Sequence, residues 1–408
     1  MNLTEGQDAA VKMAMAARAE PYQLVRLSGA AGTGKTTVLK TIIEQLGGPG
    51  TVTLIAPTGK AALRAKEATG LEAMTIHRWL YRPRLNNFGE SMGWTRRPVM
   101  TDDPGCIGRP SSGLVICDEA SMVAKDVFDD IWDVIGQLGC SLLLVGDGFQ
   151  LPPVDPENRD APFSVFAPDF EELHPLTAQT NLTEVMRQAL DSYVLRCATE
   201  VRKCGSFKAA IRVMQKELRW AADPISSIMA DRFTNKVPFA GIVHRNVTRM
   251  MLNLYARGRL GRAADEIEPG EPLLIRKNNY DYNFFNGEIA LFEGWADPTE
   301  IKVDQWGFYG RRASVSGRDC YLLQSEIWGA KAERAPRPQW APRDSWSVLR
   351  ANLGYALTCH SSQGSEWDGV LVVVENSLRA LPDEERIRWL YTAVTRAKLD
   401  CMAAFLET

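Results

Sequence analysis

Tyr22–Ser28, then Gly29-Ala30-Ala31-Gly32-Thr33-Gly34-Lys35-Thr36, is the stretch from which the rest of the chain can be read. A short apolar run is followed by Gly-x-x-x-x-Gly-Lys-Ser/Thr with every fixed position filled. A helical pattern then runs over Thr36–Leu46 and stops at Gly47, Gly48, Pro49 and Gly50. Small residues let successive backbone N–H groups point into one concavity, and the helix that starts there adds its N-terminal dipole. In this pattern Lys35 contacts the β- and γ-phosphates of a nucleotide, and the Thr36 hydroxyl binds Mg²⁺. A plain Gly-rich turn is the alternative, but the complete pattern between a strand and a helix weighs against it.

Moving outward, Leu114-Val115-Ile116-Cys117-Asp118-Glu119 ends a second apolar run in two carboxylates. Alone, such a strand end is commonly just solvated. Behind a phosphate loop it points to hydrolysis, with Asp118 in the Mg²⁺ shell, through water, and Glu119 as the base that orients and deprotonates water. ATP and Mg²⁺ are therefore the expected ligands.

Val52–Ala56 and Ser141–Gly146 are further short, continuous apolar runs, the pattern of parallel strands covered on both faces. A later set, Phe239–His244, Val370–Glu375 and Cys401–Leu406, surrounds a helix near Leu381–Lys398. The expectation is two α/β domains, 1–180 and 181–408, each interrupted. Residues 79–112, rich in Pro, Gly, Arg and Asn, match no α/β unit. Residues 270–345 carry short strand patterns with aromatics at Tyr280, Phe284, Phe285, Trp295, Trp306 and Tyr321, which suggests an inserted small β-barrel with Ala335–Pro342 as its exit loop.

Composition narrows the class. At 45% hydrophobic and 24% charged the chain is an ordinary globular one, and no run of about eighteen apolar residues predicts a membrane helix. The polar Asn2-Leu3-Thr4-Glu5 start does not match a signal peptide. Eight cysteines without a Cys-x-x-Cys pair fit reduced thiols, not a disulfide or zinc scaffold, and Cys117, Cys359 and Cys401 fit small buried hydrophobes. The net charge of −3 does not advertise nucleic-acid binding, but residues 78–112 hold six Arg against three acids, so a local basic surface is compatible with it.

The remaining motifs resemble those of the superfamily-one helicases of the RecD/Dda-like branch. Asp118-Glu119-Ala120-Ser121 resembles its Walker B box, and Val145-Gly146-Asp147-Gly148-Phe149-Gln150-Leu151-Pro152-Pro153-Val154 its third motif. Ala56-Pro57-Thr58-Gly59-Lys60-Ala61-Ala62 resembles motif Ia, and Thr75-Ile76-His77 the short motif after it. Leu182–Gln188 resembles motif IV, Tyr355–Glu366 motif V and Leu390–Ala397 motif VI; Leu3-Thr4-x-x-Gln7 resembles the Q motif. The motifs keep the family order from about residue 3 to residue 398. Asn278 and Asn286-Gly287-Glu288 are similar to the signature of the family's SH3-like domain.

The resemblance implies two RecA-like domains, 1A (1–78 and 113–180) and 2A (181–269 and 346–408), with insert 1B at 79–112 and an SH3-like β-barrel 2B at 270–345. It makes Lys35, Asp118, Glu119, Gln150, Arg187 and Arg396 the catalytic set, with Gln150 as γ-phosphate sensor and the two arginines as fingers from the second domain. The nucleotide-binding set is Gln7, Gly29, Ala30, Ala31, Gly32, Thr33, Gly34, Lys35, Thr36, Thr37, Gly364 and Glu366. Single-stranded DNA contacts fall to Pro57, Thr58, Lys60, His77, Thr358, His360 and Ser362, short groups that suit phosphates and carry no base information. His77 and His360 are equally compatible with satisfied core or surface histidines. Phe88, Met92 and Trp94 are candidates for a pin that splits duplex, and Trp94 is as compatible with plain packing. Arg311-Arg312 suits either a strand clamp or a solvated surface.

The implied activity is 5′→3′ translocation on single-stranded DNA and unwinding at single-strand/duplex junctions, driven by closure of a nucleotide cleft. It implies a monomer in the cytoplasm of a bacterial or phage-infected cell, with no membrane partner. A single-strand-binding protein or a replication or recombination factor is the implied protein partner. The competing readings are a translocase that strips bound proteins without robust unwinding, a DNA-binding scaffold with a dead ATPase, and RNA as the track.

Overall fold

Apolar strands of the first half alternate their side chains between two separate cores. Val25, Leu27, Leu54, Leu114, Ile116, Leu143 and Val145 pack on one side with Val38, Leu39, Ile42 and Ile43 of the helix after the phosphate loop. Leu24, Ile55, Val115, Cys117, Leu142 and Leu144 pack on the other, with Phe128, Ile131 and Ile135 of the helix Lys125–Leu138. Both faces are covered, which is why these strands carry no polar alternation.

The computed structural model describes residues 3–48, 51–85, 91–103, 105–153, 163–186, 191–235, 238–263, 265–279, 281–302, 309–323, 327–328 and 348–406. Its contacts divide the chain into two units, residues 1–82 with 95–202, and residues 83–94 with 203–408.

Along the first part of the chain the strands are β1 (Leu24–Gly29), β2 (Thr53–Ala56), β3 (Ala73–Thr75), β4 (Tyr81–Leu85), β5 (Ser91–Arg96), β6 (Leu114–Cys117), β7 (Ser141–Gly146) and β8 (Ala178–Leu182). The first unit's sheet has the order β3-β2-β6-β7-β1-β8, and every described pairing in it is parallel. Hence the chain leaves β1, β6 and β7, three neighbours, at the same edge. This is where an open α/β sheet offers a crevice for ligands. Strands β4 and β5 form a separate two-stranded sheet within the 79–112 insert.

The edge strands β3 and β8 were not expected from sequence. Ala73-Met74-Thr75 is too short to show a pattern, and Ala178-Gln179-Thr180-Asn181-Leu182 is polar because only one side of it is covered. The expected boundary at 180/181 also shifts. Strand β8 continues to Leu182 against β1, and the chain up to Arg202 groups with the first unit.

In the second unit β9 (Arg219–Trp220), β10 (Phe239–Val243), β11 (Pro272–Ile275), β12 (Ile289–Lys302), β13 (Tyr309–Val315), β14 (Arg318–Leu323), β15 (Val348–Leu349), β16 (Ala351–Leu353), β17 (Ala356–Thr358), β18 (Trp367–Val374) and β19 (Ala397–Phe405) form two sheets. One is parallel, in the order β17-β10-β18-β19-β9. The other runs β15-β14-β13-β12-β11-β16 and is mainly antiparallel. Its two edges, β15 and β16, are consecutive in the chain with Arg350 alone between them, so the sheet closes on itself as a barrel. Residues 348–353 therefore serve the barrel, beyond the expected end of that insert at 345. The helix near Leu381–Lys398 is shorter than expected, Asp383–Val394, and the chain after it enters β19 at Ala397. Tyr280, Trp306 and Ala335–Pro342 lie outside the described residues.

A buried ion pair ties the barrel to the helix Asn246–Arg259. Arg257 Nε and Nη2 donate to the two oxygens of Glu271 at 2.6 and 3.0 Å, and Tyr355 Oη donates to the same carboxylate at 2.9 Å. Among the described residues no helix is long and apolar enough to cross a membrane.

Candidate functional site

The phosphate loop has the backbone that its glycines predict. Gly32 and Gly34 hold φ of 78° and 82°, the left-handed region that a Cβ disfavours, and Gly34 caps the helix Lys35–Gln45. Lys35 Nζ donates to Gly29 O (2.8 Å) and Ala30 O (3.1 Å), so the lysine folds over the loop's own carbonyls. Thr36 is exposed at the first turn of the helix, and Thr37 is half-buried.

Gln7 is buried against this loop. Its Nε2 donates to Thr33 O at 3.1 Å, and its Oε1 accepts from Thr4 N at 3.1 Å in a capping box. Both amide atoms are engaged within the protein, so a bidentate contact to adenine requires exchanging these bonds. The segment carrying the fourth motif also docks here. Met186 N donates to Gly32 O at 3.0 Å, and Gln7 Nε2 lies 3.2 Å from Met186 Sδ. Arg187 itself lies outside the described residues.

At the ends of β6 and β7, Asp118 and Glu119 are half-buried and several polar atoms are buried and unsatisfied. Asp118 Oδ1 accepts from Glu119 N at 2.9 Å. Burial, and then the neighbouring Glu119, raise the Asp118 carboxyl above the ordinary carboxylate range, against the pull of the Glu119 N–H, Lys35 and Arg64. Glu119 sits at φ 51°, ψ 38°, rare for a residue with a side chain, and starts the turn Ala120–Met122. Glu119 Oε2, Ser121 Oγ and Gln150 Oε1 are buried without a hydrogen-bond partner. Buried polar atoms are almost always paired, so three orphans along neighbouring strand ends mark a place prepared for something else. Asp147, fully buried, accepts from Phe149 N (3.0 Å) and Arg202 (3.2 Å), which fixes the turn before Gln150.

This donor set fits a magnesium–nucleotide pair. Mg²⁺ keeps most of its waters and takes one or two protein oxygens plus phosphates, so it requires no cage of carboxylates. Thr36 and the under-compensated Asp118 provide such oxygens, while the loop's N–H groups and Lys35 suit phosphate.

Strand-contact candidates divide into surface and structural groups. In the first unit Pro57, Thr58 and Lys60 are half-exposed and His77 is exposed; Thr58 caps the helix Gly59–Thr69 by accepting from Ala61 N at 3.1 Å. The His77 ring tilts on Tyr81 at 4.7 Å, and burial lowers its pKa. In the second unit Thr358 caps the short turn Cys359–Ser362 and is buried. Ser362 is fully buried and donates to Cys359 O at 2.6 Å, so it holds this turn and is withdrawn from any strand, contrary to the expectation. His360 is half-buried, and burial followed by His244 brings its pKa down to about 4. Gly364 holds φ 68° and Glu366 is half-exposed.

Arg396 is 4% exposed; its Nε donates to Thr392 O, Nη1 to Ser365 O and Nη2 to Thr395 Oγ1, at 3.0 to 3.2 Å. As with Lys35, its charge rests on oxygens of its own unit. Of the pin candidates, Trp94 is 45% exposed; Phe88 and the Met92 side chain lie outside the described residues. Arg311 stacks on Trp295 at 4.4 Å and Arg312 pairs with Asp319 at 2.9 Å, as a solvated surface would have them.

Sequence reasoning missed Ser121, Arg64 and Met186, whose signals were adjacency to a motif and nothing more. It also missed the cap that Glu375 provides. Glu375 accepts from His244 N (2.5 Å), Arg245 N (3.2 Å) and Thr248 Oγ1 (2.6 Å) at the start of the helix Asn246–Arg259.

Comparison with known proteins gives consistent relatives. Residues 2–221 match the model of a family described as an AAA domain, and residues 353–403 that of a UvrD-like helicase C-terminal domain. The ATP-dependent RecD2 DNA helicase of Deinococcus radiodurans is 28% identical over 400 residues, covering 92% of this chain and 46% of that protein. The ATP-dependent DNA helicase dda of Enterobacteria phage T4 is 35% identical over 206 residues, 49% of this chain and 43% of that one. This chain thus spans less than half the length of these two relatives. A crystal structure of Pif1 helicase from Bacteroides, in complex with ADP-AlF3 and ssDNA, superposes with a TM-score of 0.56 at 17% identity, covering 99% of this chain and 92% of that chain.

Proposed function

This chain belongs to the AAA-domain family, within the RecD/Dda/Pif1-like group of superfamily 1 helicases, and from that premise we propose that it is an ATP-dependent DNA helicase that moves 5′→3′ on single-stranded DNA. The observation that carries the reading is the row of unpartnered buried atoms, Glu119 Oε2, Ser121 Oγ and Gln150 Oε1, at the sheet edge that also bears the phosphate loop. A protein that merely held a strand of DNA has no use for such a row.

In this reading Lys35 leaves Gly29 O and Ala30 O and sets its charge against the β- and γ-phosphates. Thr36 and Asp118 would hold magnesium, Asp118 through water, and the ion would supply neutralisation of phosphate charge. Glu119 orients the attacking water and accepts its proton, and Gln150 senses the γ-phosphate. Arg187 and Arg396 are the candidate arginine fingers, groups that add roughly 10³–10⁵ in rate in related P-loop enzymes. Arg396 must then exchange its bonds to Thr392, Ser365 and Thr395 for the phosphate. Gln7, Gly364 and Glu366 complete the nucleotide set.

Pro57, Thr58, Lys60, His77, Thr358 and His360 are the proposed strand contacts, and they address phosphate and sugar without reading bases. The hairpin of β4 and β5, with Trp94 on it, is the proposed pin. Single-strand/duplex junctions are the proposed substrate, and a single-strand-binding protein or a replication or recombination factor is the proposed partner.

An ATPase assay with and without an unstructured oligonucleotide tests the reading. Wild type should hydrolyse ATP faster with the strand. Lys35→Ala and Glu119→Gln should abolish turnover, while Glu119→Gln keeps nucleotide affinity. Strand-independent turnover, or normal turnover in Glu119→Gln, would refute the assigned roles.

A further inference from the structure

The helix Asn246–Arg259 buries four polar side chains, and three of them are accounted for. Thr248 donates to Glu375, Asn253 bonds the backbone of Leu353 and Ala356, and Arg257 pairs with Glu271. Arg249 is the exception. It is 5% exposed, its Nε is buried without a partner, and no carboxylate pairs with it among the described residues. Among the described residues its side chain makes a weak bond, from Nη1 to Asn352 Oδ1 at 3.3 Å. A buried guanidinium whose charge nothing offsets is unfavourable in a folded chain unless a counter-charge arrives.

The neighbourhood raises that demand. Across the ladder of β11 and β16, Leu274 faces Asn352 and Ile275 faces Ala351, and Arg276 N donates to Arg350 O at 2.8 Å. Side chains alternate along a strand, so Leu274, Arg276, Arg350 and Asn352 share one face. Leu273 and Ile275 take the other face, in the apolar core. Arg249 thus meets a barrel face that carries further arginines; burial and the charge of Arg276 together lower its pKa to about 10. A small cavity of about 10 Å³ opens among Arg249, Asn253, Leu254, Trp328 and Asn352, room for one oxygen-sized group.

We propose that Arg249, with Asn352 and Arg276, forms a phosphate subsite in the second unit, and that a backbone phosphate of the bound strand places an oxygen there. Guanidinium groups offered from two different elements suit an oxyanion whose oxygens point different ways. The assignment of the phosphate to a polynucleotide rests on the reading of this chain as a strand-binding motor. The anion site itself does not.

Arg249→Met and Arg249→Lys test it in two arms. In the first, binding of a fluorescent oligothymidylate is measured across a salt series. Arg249→Met should weaken binding roughly 5- to 10-fold at low salt and reduce the log–log salt slope by about 0.7, with Arg249→Lys in between. In the second, thermal melting is followed with and without orthophosphate at matched ionic strength. Orthophosphate should raise the melting temperature of wild type and leave Arg249→Met unmoved, and Arg249→Met without phosphate should melt no lower than wild type. If only the melting arm responds, or if wild type binds no oligonucleotide but is still protected, the site takes free phosphate and the strand assignment is overturned. If neither arm responds, or if Arg249→Met simply melts lower, the subsite is overturned and Arg249 is a packing residue.

Discussion

Lys35 and Arg396 share a behaviour that matters more than their separate positions. Each rests its positive charge on main-chain or hydroxyl oxygens nearby, at hydrogen-bond distance. Such bonds are modest and exchangeable, and among the described residues no carboxylate locks either cation. His360 shows the reverse. Burial and His244 bring its pKa to about 4, below the ordinary 6.5, so the fold holds it neutral. The resulting stability is fully present above pH 6.5 and is lost as pH falls toward 4. His360→Gln should therefore flatten the fall in stability between pH 7 and pH 4.5, by on the order of 1–3 kcal/mol, in urea titrations at the two pH values. An unchanged slope would show that His360 titrates as an open surface group. At this scale the phosphate loop and the Asp118–Glu119 pair were legible because their chemistry is local and fixed in spacing. The burial of Ser362 was not, because a serine in a turn can serve water, backbone or ligand, and only packing decides which.

At the scale of elements, two attachments decide how the inserts are held. The foot of the β4–β5 hairpin is fastened to the helix Lys125–Leu138, since Tyr81 Oη donates to Asp130 and Arg96 bridges Asp130 at 3.3 Å and Asp133 at 2.5 Å. Asp130→Ala removes the acceptor common to both strands. It should reduce duplex unwinding several-fold while leaving strand-stimulated ATP hydrolysis intact; equal loss of both would make Asp130 a general fold residue. The barrel has its own anchor in Arg257 and Glu271. Removing one partner of a buried pair strands the other charge, so Glu271→Gln should lower stability by about 3–5 kcal/mol in chemical denaturation. A change below about 1 kcal/mol would contradict the burial seen here. The strands of the first sheet could be predicted because both faces are covered and apolar runs stand out. Strand β8 could not, since an edge strand shows water half of its residues and spells out a polar sequence. The closure of the barrel by residues 348–353 was equally hidden, because two short strands on either side of Arg350 have no periodicity to detect.

For the whole molecule, the net charge of −3 constrains how a polyanion is held. Long-range attraction is weak, so the proposed strand binding depends on a few placed groups, such as Lys60 and the proposed pocket at Arg249. Two parallel sheets, a barrel and a paired hairpin are the parts available to the proposed motor. The proposed polarity rests on motif order alone, because direction of travel is a property of the working cycle that no single residue encodes. The most direct measurement is strand displacement from two duplexes that differ only in carrying a 5′ or a 3′ single-stranded tail, with ATP, for wild type and Lys35→Ala. Displacement is expected from the 5′-tailed duplex alone, and none with Lys35→Ala. Displacement from the 3′-tailed duplex alone, or displacement that survives Lys35→Ala, would contradict it.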